Sequence, residues 1–181
     1  MTERTARTDE AFGDFLARLD ALDAAHDALN ESETAEDFFG HLGRRLLAPY
    51  LGEDGARIAV RGPPVRLARD EAKMLGLCIH ELATNAAKYG ALSTPQGRVS
   101  MGLSAPGADG VARFTWQESG GPPVTPPQRT GYGQRFLGST LGALFAGPVD
   151  LAYRPEGFHL SVAGPAPGLF AASSPIAGPQ V

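Results

Sequence analysis

Residues 80–90 read "HELATNAAKYG" and form a helix-like stretch that contains one of the two asparagines and one of the two lysines in this 181-residue chain. Asparagine is a mediocre helix former because its side-chain amide competes for backbone hydrogen bonds. On a helix, Glu81, Asn85 and Lys88 stand at i, i+4 and i+7, so their side chains share one face. We therefore ask what chemistry this polar face performs.

The polar face lies beside an apolar stripe expected to face the core, which consists of Leu75, Cys78, Leu82 and Ala86. An amide oxygen is a suitable ligand for Mg²⁺, a hard cation usually shared with substrate phosphates. An ammonium neutralises phosphate charge, and a carboxylate orients a metal-bound water or accepts a proton. The same spacing also occurs in ordinary surface pairs along a helix, so the triplet alone leaves a purely structural explanation open.

The composition indicates one globular domain with a small appendage, because 43% of the residues are hydrophobic and 20% are charged. The net charge of −4 argues against nucleic-acid binding through phosphate contacts. No apolar run approaches the ~20 residues of a membrane span, and the N-terminus "MTERTARTDE" is unlike a secretory signal. The single Cys78 has no intramolecular partner for a disulfide, which fits the cytoplasm.

The N-terminal part of the chain predicts two helices. The first spans about residues 9–30 and carries a heptad-like seam of Phe12, Phe15, Leu19, Leu22, His26 and Leu29. This seam is expected to pack on another helix, in the same chain or in a partner. Thr34 and Asp37 form a capping box for the second helix, which runs through Leu47 and ends at Pro49.

The rest of the chain alternates between strand and helix patterns. The expected elements are a strand at 56–62, a helix from Asp70 to Tyr89, a hairpin of strands 97–104 and 111–118, a loop between Gly120 and Gly133, a helix through Leu137–Phe145, and a final hairpin of "PVDLAY" and "FHLSVA". Gly90 is expected to stop the long helix as a left-handed C-terminal cap.

This order of elements predicts an α+β fold, with helices on one face of a mostly antiparallel sheet. The expected divisions are a helical segment at 1–31, a domain at 32–165 and a disordered tail at 166–181, since the last residues are rich in glycine, proline and serine.

Two glycine segments add to the chemistry of the central helix. "SGG" (119–121) follows a strand, and "GYG" (131–133) precedes a helix. Glycine lets backbone approach a ligand closely, and a helix N-terminus attracts phosphate. Ordinary turns explain either segment alone, but together with the acid–amide–lysine helix they favour a nucleotide site under the intervening loop.

Three motifs give the chain a resemblance to a known family. "HELATNAAKYGALS" (80–93), "WQESGGPPV" (116–124) and "GYGQRFL" (131–137) resemble the N, G1 and G2 boxes of the HWE family of bacterial sensor histidine kinases. This family lies within the gyrase/Hsp90/histidine-kinase/MutL superfamily, and the resemblance covers about residues 15–165. His80, Trp116 and Glu118 are the three letters that name the family.

The resemblance implies a two-layer α/β sandwich of the Bergerat type, and a kinase that uses ATP and Mg²⁺ and serves a response-regulator receiver domain. Asn85 would ligate the metal, Glu81 would support a metal-bound water or act as base, and Lys88 would contact phosphate. Tyr89 would pack beside the adenine or ribose. Glu118 would bond the adenine amino group, where most relatives have an aspartate.

The remaining nucleotide-binding residues implied by the resemblance are Gly120, Gly121, Gly131, Gly133 and Arg135. Gly120 would let the base approach, whereas Gly131 and Gly133 would hold the phosphates. Trp116 shares a strand face with Glu118 and is expected to position that acid. For His80, a structural role and a catalytic role both remain open.

The phosphoacceptor motif of the family, His-Arg-x-Lys-Asn, does not occur in the sequence. The chain is therefore expected to be either a truncated kinase or a variant that phosphorylates a histidine elsewhere, and its N-terminal helix is a candidate homodimer contact. His26, followed by Asp27, is interpreted as a seam residue, with an acceptor role as the alternative. The competing functions are a non-catalytic adaptor or phosphotransferase and a serine kinase of the anti-sigma type.

Overall fold

The computed structural model describes residues 38–52, 57–126 and 131–170. Within these ranges three α-helices pack on one face of a five-stranded sheet. The helices are α1 (Phe38–Leu47), α2 (Arg69–Lys88) and α3 (Tyr132–Phe145). The strands are β1 (Ile58–Arg61), β2 (Arg98–Ser104), β3 (Ala112–Ser119), β4 (Val149–Arg154) and β5 (Gly157–Gly164). This confirms the predicted α+β class and both predicted hairpins.

The sheet has the strand order β1-β2-β3-β5-β4, and β1–β2 is the parallel pair while the other pairs are antiparallel. Along β3, Phe114, Trp116 and Glu118 are buried, whereas the residues between them are more exposed. This alternation follows from the two-residue period of a strand. It directs an acid, Glu118, into the helix layer at the end of the central strand.

The core lies between the sheet and the helices. The predicted apolar stripe of α2 is confirmed, because Leu75, Cys78, Leu82 and Ala86 are all buried. Burying a leucine-sized side chain contributes about 1.5–3 kcal/mol, so this stripe fixes the rotation of α2 about its axis. The face that carries Glu81 and Asn85 is thereby held at the edge of the core.

The predicted left-handed cap at Gly90 is wrong. Helix α2 ends at Lys88, and Gly90 has φ −112° and ψ −151°, which is extended backbone. Its N–H donates to the carbonyl of Ala86 at 3.0 Å, and the chain then enters a 3₁₀ turn at Ala91–Ser93. A glycine is therefore present for a reason other than backbone conformation.

The predicted tail begins too early. Ala166 and Leu169 are buried, and the carbonyl of Leu169 accepts a hydrogen bond from the N–H of Ala68 at 2.8 Å. Leu67 and Phe170 form an isolated antiparallel bridge. Residues 166–170 thus belong to the domain, because their apolar side chains complete its core despite the glycine- and proline-rich sequence around them; residues 171–181 lie outside the described ranges.

The predicted seam helix at 9–30, His26 and the Thr34–Asp37 capping box also lie outside the described residues. Among the helices that the structure does describe, none combines the length and the apolar character needed to cross a bilayer.

Candidate active site

A cavity of about 450 Å³ opens between α2, α3, the end of β3 and the β4–β5 hairpin. Its volume lies in the range of small-molecule sites. It brings together six of the residues that the sequence predicted for the site, which are Glu81, Asn85, Tyr89, Glu118, Gly131 and Gly133. Residues more than fifty positions apart in the sequence therefore line one space, as a ligand site requires.

At the inner end of the cavity, the carboxylate of Glu118 is almost fully buried, with 5% of the residue exposed. Trp116 Nε1 donates to Glu118 Oε1 at 3.0 Å, and the backbone N–H of Ala91 donates to Oε2 at 2.8 Å. Burial raises the pKa of Glu118, while these two donors act in the opposite direction. Each oxygen keeps a second lone pair for a ligand, because an ionised carboxylate accepts about four hydrogen bonds.

At the other end, Asn85 Nδ2 donates to Glu81 Oε1 at 3.4 Å. This contact uses the amide nitrogen and leaves the amide oxygen of Asn85 for another partner. The donor set of one amide oxygen and one carboxylate fits Mg²⁺, which prefers oxygen and completes its shell with water and phosphate. Within the described ranges, His, Cys, Asp and Glu side chains form no group of three that would hold a metal by themselves.

The first turn of α3 lies directly against Glu81. A Cβ on Gly133 would collide with Glu81 Oε1, whereas a Cβ on Gly131 would meet nothing within 4 Å. The first turn of α3 contains no acidic residue, and its N-cap Gly131 supplies no side-chain acceptor. The backbone N–H groups of this turn and the positive end of the helix dipole would therefore favour an anion bound beside Gly131 and Gly133.

Other predicted site residues lie outside the cavity wall. Lys88 and Arg135 are exposed at the ends of α2 and α3 that border the cavity. Gly120 has φ +70°, and a Cβ there would lie 2.9 Å from the carbonyl oxygen of Gln96. A Cβ on Gly121 would lie 2.6 Å from Ala91 Cα. Packing of the 119–121 turn on residues 91–97 accounts for these glycines. The contact of Gly120 with a base and the role of Gly121 in nucleotide binding stay predictions.

His80 also lies outside the cavity wall. Its Nε2 is 3.4 Å from Thr84 Oγ1, one turn further along α2. This local contact agrees with the structural explanation of His80, and the catalytic one remains untested.

Sequence reasoning missed one wall of the cavity. Gln134 Nε2 donates to the hydroxyl of Tyr153, whose ring packs on Phe158 with centroids 5.0 Å apart. Burial raises the pKa of Tyr153. Gln134 lies within "GYGQRFL", so the motif itself indicates that this residue lies near the site. Tyr153 and Phe158 come from the last hairpin, whose alternation predicts a face of the sheet but no cavity.

The remaining cavity wall is mainly apolar. It consists of Leu82, Leu137, Leu151, Pro123, Val124 and Thr125, together with Gly90. Leucine side chains from both helices and from β4 thus line the same cavity as Glu118 and Asn85, which suits a ligand with an apolar ring and a few polar groups.

Comparison with known proteins identifies similar sequences and folds. A family model described as HWE histidine kinase matches residues 1–64. A blue-light-activated histidine kinase of Brucella anthropi is 36% identical over 153 residues, covering 83% of this chain and 31% of that protein. The Brucella ovis protein of the same description is 35% identical with the same coverage. The chain therefore spans about a third of the length of these curated relatives.

Solved structures agree on the fold. The Erythrobacter litoralis EL346 blue-light activated histidine kinase superposes with a TM-score of 0.67 at 18% identity, over 87% of this chain and 50% of that chain. The histidine kinase domain from the same protein gives a TM-score of 0.65 at 18% identity, over 89% and 81%. The fold is thus that of a histidine kinase catalytic domain. With the sequence matches, the chain belongs to the HWE histidine kinase family, as its three motifs predicted.

Proposed function

We propose that this chain binds ATP with Mg²⁺ in the cavity and transfers the γ-phosphate to a histidine, for relay to an aspartate of a response-regulator receiver domain in the cytoplasm. The observation that carries the proposal is that one cavity holds a buried acid, Glu118, at one end and the Glu81–Asn85 pair beside a helix N-terminus at the other. Membership of the histidine kinase family supports the reaction type.

The base would enter the inner end of the cavity. A carboxylate that already accepts two protein donors keeps lone pairs for an exocyclic amino group, so Glu118 is suited to read adenine. Leu82, Leu137 and Phe158 offer apolar contact to the ring, and these side chains exclude water from it. The largely exposed ring of Tyr89 borders the opening and is available to the adenine or ribose.

The phosphates would lie between α2 and the first turn of α3. Backbone N–H groups after Gly131 and Gly133 are suited to bind their oxygens. The exposed cations Lys88 and Arg135 stand at the ends of α2 and α3 and are long enough to approach a charged group at the cavity mouth. Bound Mg²⁺, held by Asn85 and supported by Glu81, would neutralise part of the triphosphate charge.

In the transfer itself, a neutral imidazole nitrogen forms a bond to the γ-phosphorus while the bond from that phosphorus to the leaving oxygen of ADP breaks. Such transfers depend mainly on positioning and charge stabilisation. Glu81 is the side chain placed to orient the reacting groups or accept a proton, because its carboxylate lies between Asn85 and Gly133. The acceptor histidine would come from another segment or chain, and the N-terminal helix is the proposed homodimer contact.

The deciding experiment compares the chain with N85A and with N30A, since Asn30 is the only other asparagine. Calorimetry with ATP, with and without Mg²⁺, should give a metal-dependent affinity that N85A lowers at least tenfold and N30A leaves unchanged. Labelled ATP with a histidine acceptor should then yield an acid-labile, alkali-stable phosphoprotein. A folded wild-type chain without affinity for Mg²⁺-ATP would instead indicate a non-catalytic adaptor.

A further inference from the structure

Gly90 contacts the acid that would read the base. A Cβ built on Gly90 would lie 2.0 Å from Glu118 Oε2 and 3.0 Å from Glu118 Cδ. Real Cβ atoms essentially never approach other heavy atoms within 3.0 Å. A glutamate at 118 in this position and a side chain at 90 are therefore mutually exclusive.

The backbone of Gly90 does not itself require glycine. Its φ of −112° and ψ of −151° are extended, and no left-handed conformation is involved. Its other close neighbour is Ala86 Cα, at 3.0 Å from the added Cβ, where a shift of only a few tenths of an ångström is needed. The dominant reason for a glycine is thus the carboxylate of Glu118.

The carboxylate is fixed on both sides when it lies in this space. Oε2 accepts the N–H of Ala91 at 2.8 Å, the residue immediately after Gly90, and Oε1 accepts the indole N–H of Trp116 at 3.0 Å. An aspartate is shorter by one methylene, about 1.5 Å along the chain, and would leave the space beside Gly90 empty. The longer side chain of glutamate therefore fits this site only because residue 90 has no side chain.

We propose that Gly90 is a specificity-determining position of this site, because the space beside it sets the length and orientation of the acid that reads the nucleobase. This inference rests on the proposed function. Gly90 acts through Glu118 and is a positioning residue. Its substitution should change which base is preferred as well as how tightly a nucleotide binds.

The test is a double-mutant cycle in the 181-residue chain, with G90A, E118D and G90A/E118D. Calorimetry measures the affinity for Mg²⁺-ATP and Mg²⁺-GTP. G90A should weaken ATP binding at least tenfold and narrow the ratio of ATP to GTP affinity. In the E118D background the same substitution should weaken binding by less than about threefold, because the shorter acid no longer occupies the space of the added methyl group.

The fluorescence of Trp116 reports on the contact between Gly90 and Glu118 in the absence of nucleotide. Trp116 is the only tryptophan of the chain, so its emission reports the Glu118 carboxylate beside its ring without background. G90A should shift the emission, and G90A/E118D should show the emission of E118D alone.

G97A is the matched control. A Cβ on Gly97 would lie within 1.6 Å of the carbonyl oxygen of Ala91, so G97A also disturbs this turn but collides with backbone. E118D should not relieve its effect on ATP affinity, because the collision is with backbone and not with the carboxylate. Equal relief of G97A and G90A by E118D would show a general loosening of the turn and would overturn the inference.

The outcomes separate this inference from the proposed function. If ATP binds and the effects of G90A and E118D simply multiply, Gly90 is not matched to Glu118, although the kinase assignment stands. If no nucleotide binds but the Trp116 emission shows the coupling, the matched pair stands and the assignment fails. Should G90A not fold, circular dichroism of G90A/E118D decides, because a folded double variant supports the pair and an unfolded one refutes it.

Discussion

Replacing Trp116 by phenylalanine should cost more stability at neutral pH than in acid. Trp116 is fully buried, and its indole N–H donates to Glu118 Oε1 at 3.0 Å. A hydrogen bond to a charged group contributes ~1.5–3 kcal/mol, and one to a neutral group ~1 kcal/mol. The void left by the smaller ring adds about 1 kcal/mol at any pH. W116F should therefore cost about 3 kcal/mol at neutral pH and about 2 kcal/mol when Glu118 is protonated.

The sign of the pH dependence follows from the pKa of Glu118. Burial raises this pKa in the folded state above its value in the unfolded chain. The corresponding stability is fully present below the unfolded pKa, near 4.3, and is lost as the pH rises through the folded pKa. W116F removes a hydrogen-bond donor that lowers the pKa of Glu118 in the folded state. The variant should therefore lose more stability than wild type as the pH rises.

The measurement is urea unfolding followed by far-UV circular dichroism, since W116F has no tryptophan to report. Wild type and W116F are compared from about pH 4, near the ordinary carboxyl pKa, to about pH 7.5. In the E118Q background nothing titrates at residue 118, so the cost of W116F there should be the same at every pH. A cost that is equally constant in the wild-type background would refute the idea that the indole supports an ionised carboxylate.

Three further predictions concern other parts of the domain. G133A should weaken ATP binding at least tenfold by displacing Glu81, whereas G138A, whose Cβ meets nothing within 4 Å, should leave calorimetric affinity unchanged; equal effects would refute the contact. L169A should lower the free energy of unfolding by about 2–4 kcal/mol in urea titrations, since Leu169 is fully buried. An effect below about 1 kcal/mol would show that residues 166–170 do not contribute to the core. The Cys78 thiol, whose pKa is raised by burial and by Glu81, should react with a maleimide only as fast as the protein unfolds; rapid labelling of native protein would contradict its burial.

The sheet and the helix layer follow closely from local pattern. Phe114, Trp116 and Glu118 alternate along β3, and this period alone predicts that the acid faces the same side as the two aromatic rings. The stripe from Leu75 to Ala86 likewise predicts which side of α2 is buried, and hence which side carries Asn85. In both cases burial of apolar side chains determines where the polar ones point.

The wall of the cavity depends on contacts between distant segments, which local pattern does not contain. Gly90 looked like a helix cap because it follows a helix, but its partner Glu118 comes from another element. Tyr153 faces the cavity only because the β4–β5 hairpin pairs beside β3 at one specific register. The bridge between Leu67 and Phe170 could not be predicted from the sequence either, because a single pair of residues produces no periodic pattern.

The two ends of the site are held by different kinds of contact. At the Glu118 end, backbone segments pack on each other, because added Cβ atoms at Gly121 and Gly157 would collide with Ala91 Cα and with the carbonyl of Glu118. The Glu118 carboxylate itself is held by the Trp116 indole and by the N–H of Ala91. Around Glu81, the contacts are made by side chains, to Gly133 and Asn85. Side chains change rotamer far more readily than packed backbone moves. Under the proposed function, the end that would read the base is therefore the more rigid one, and the end that would hold phosphate is the more adjustable one.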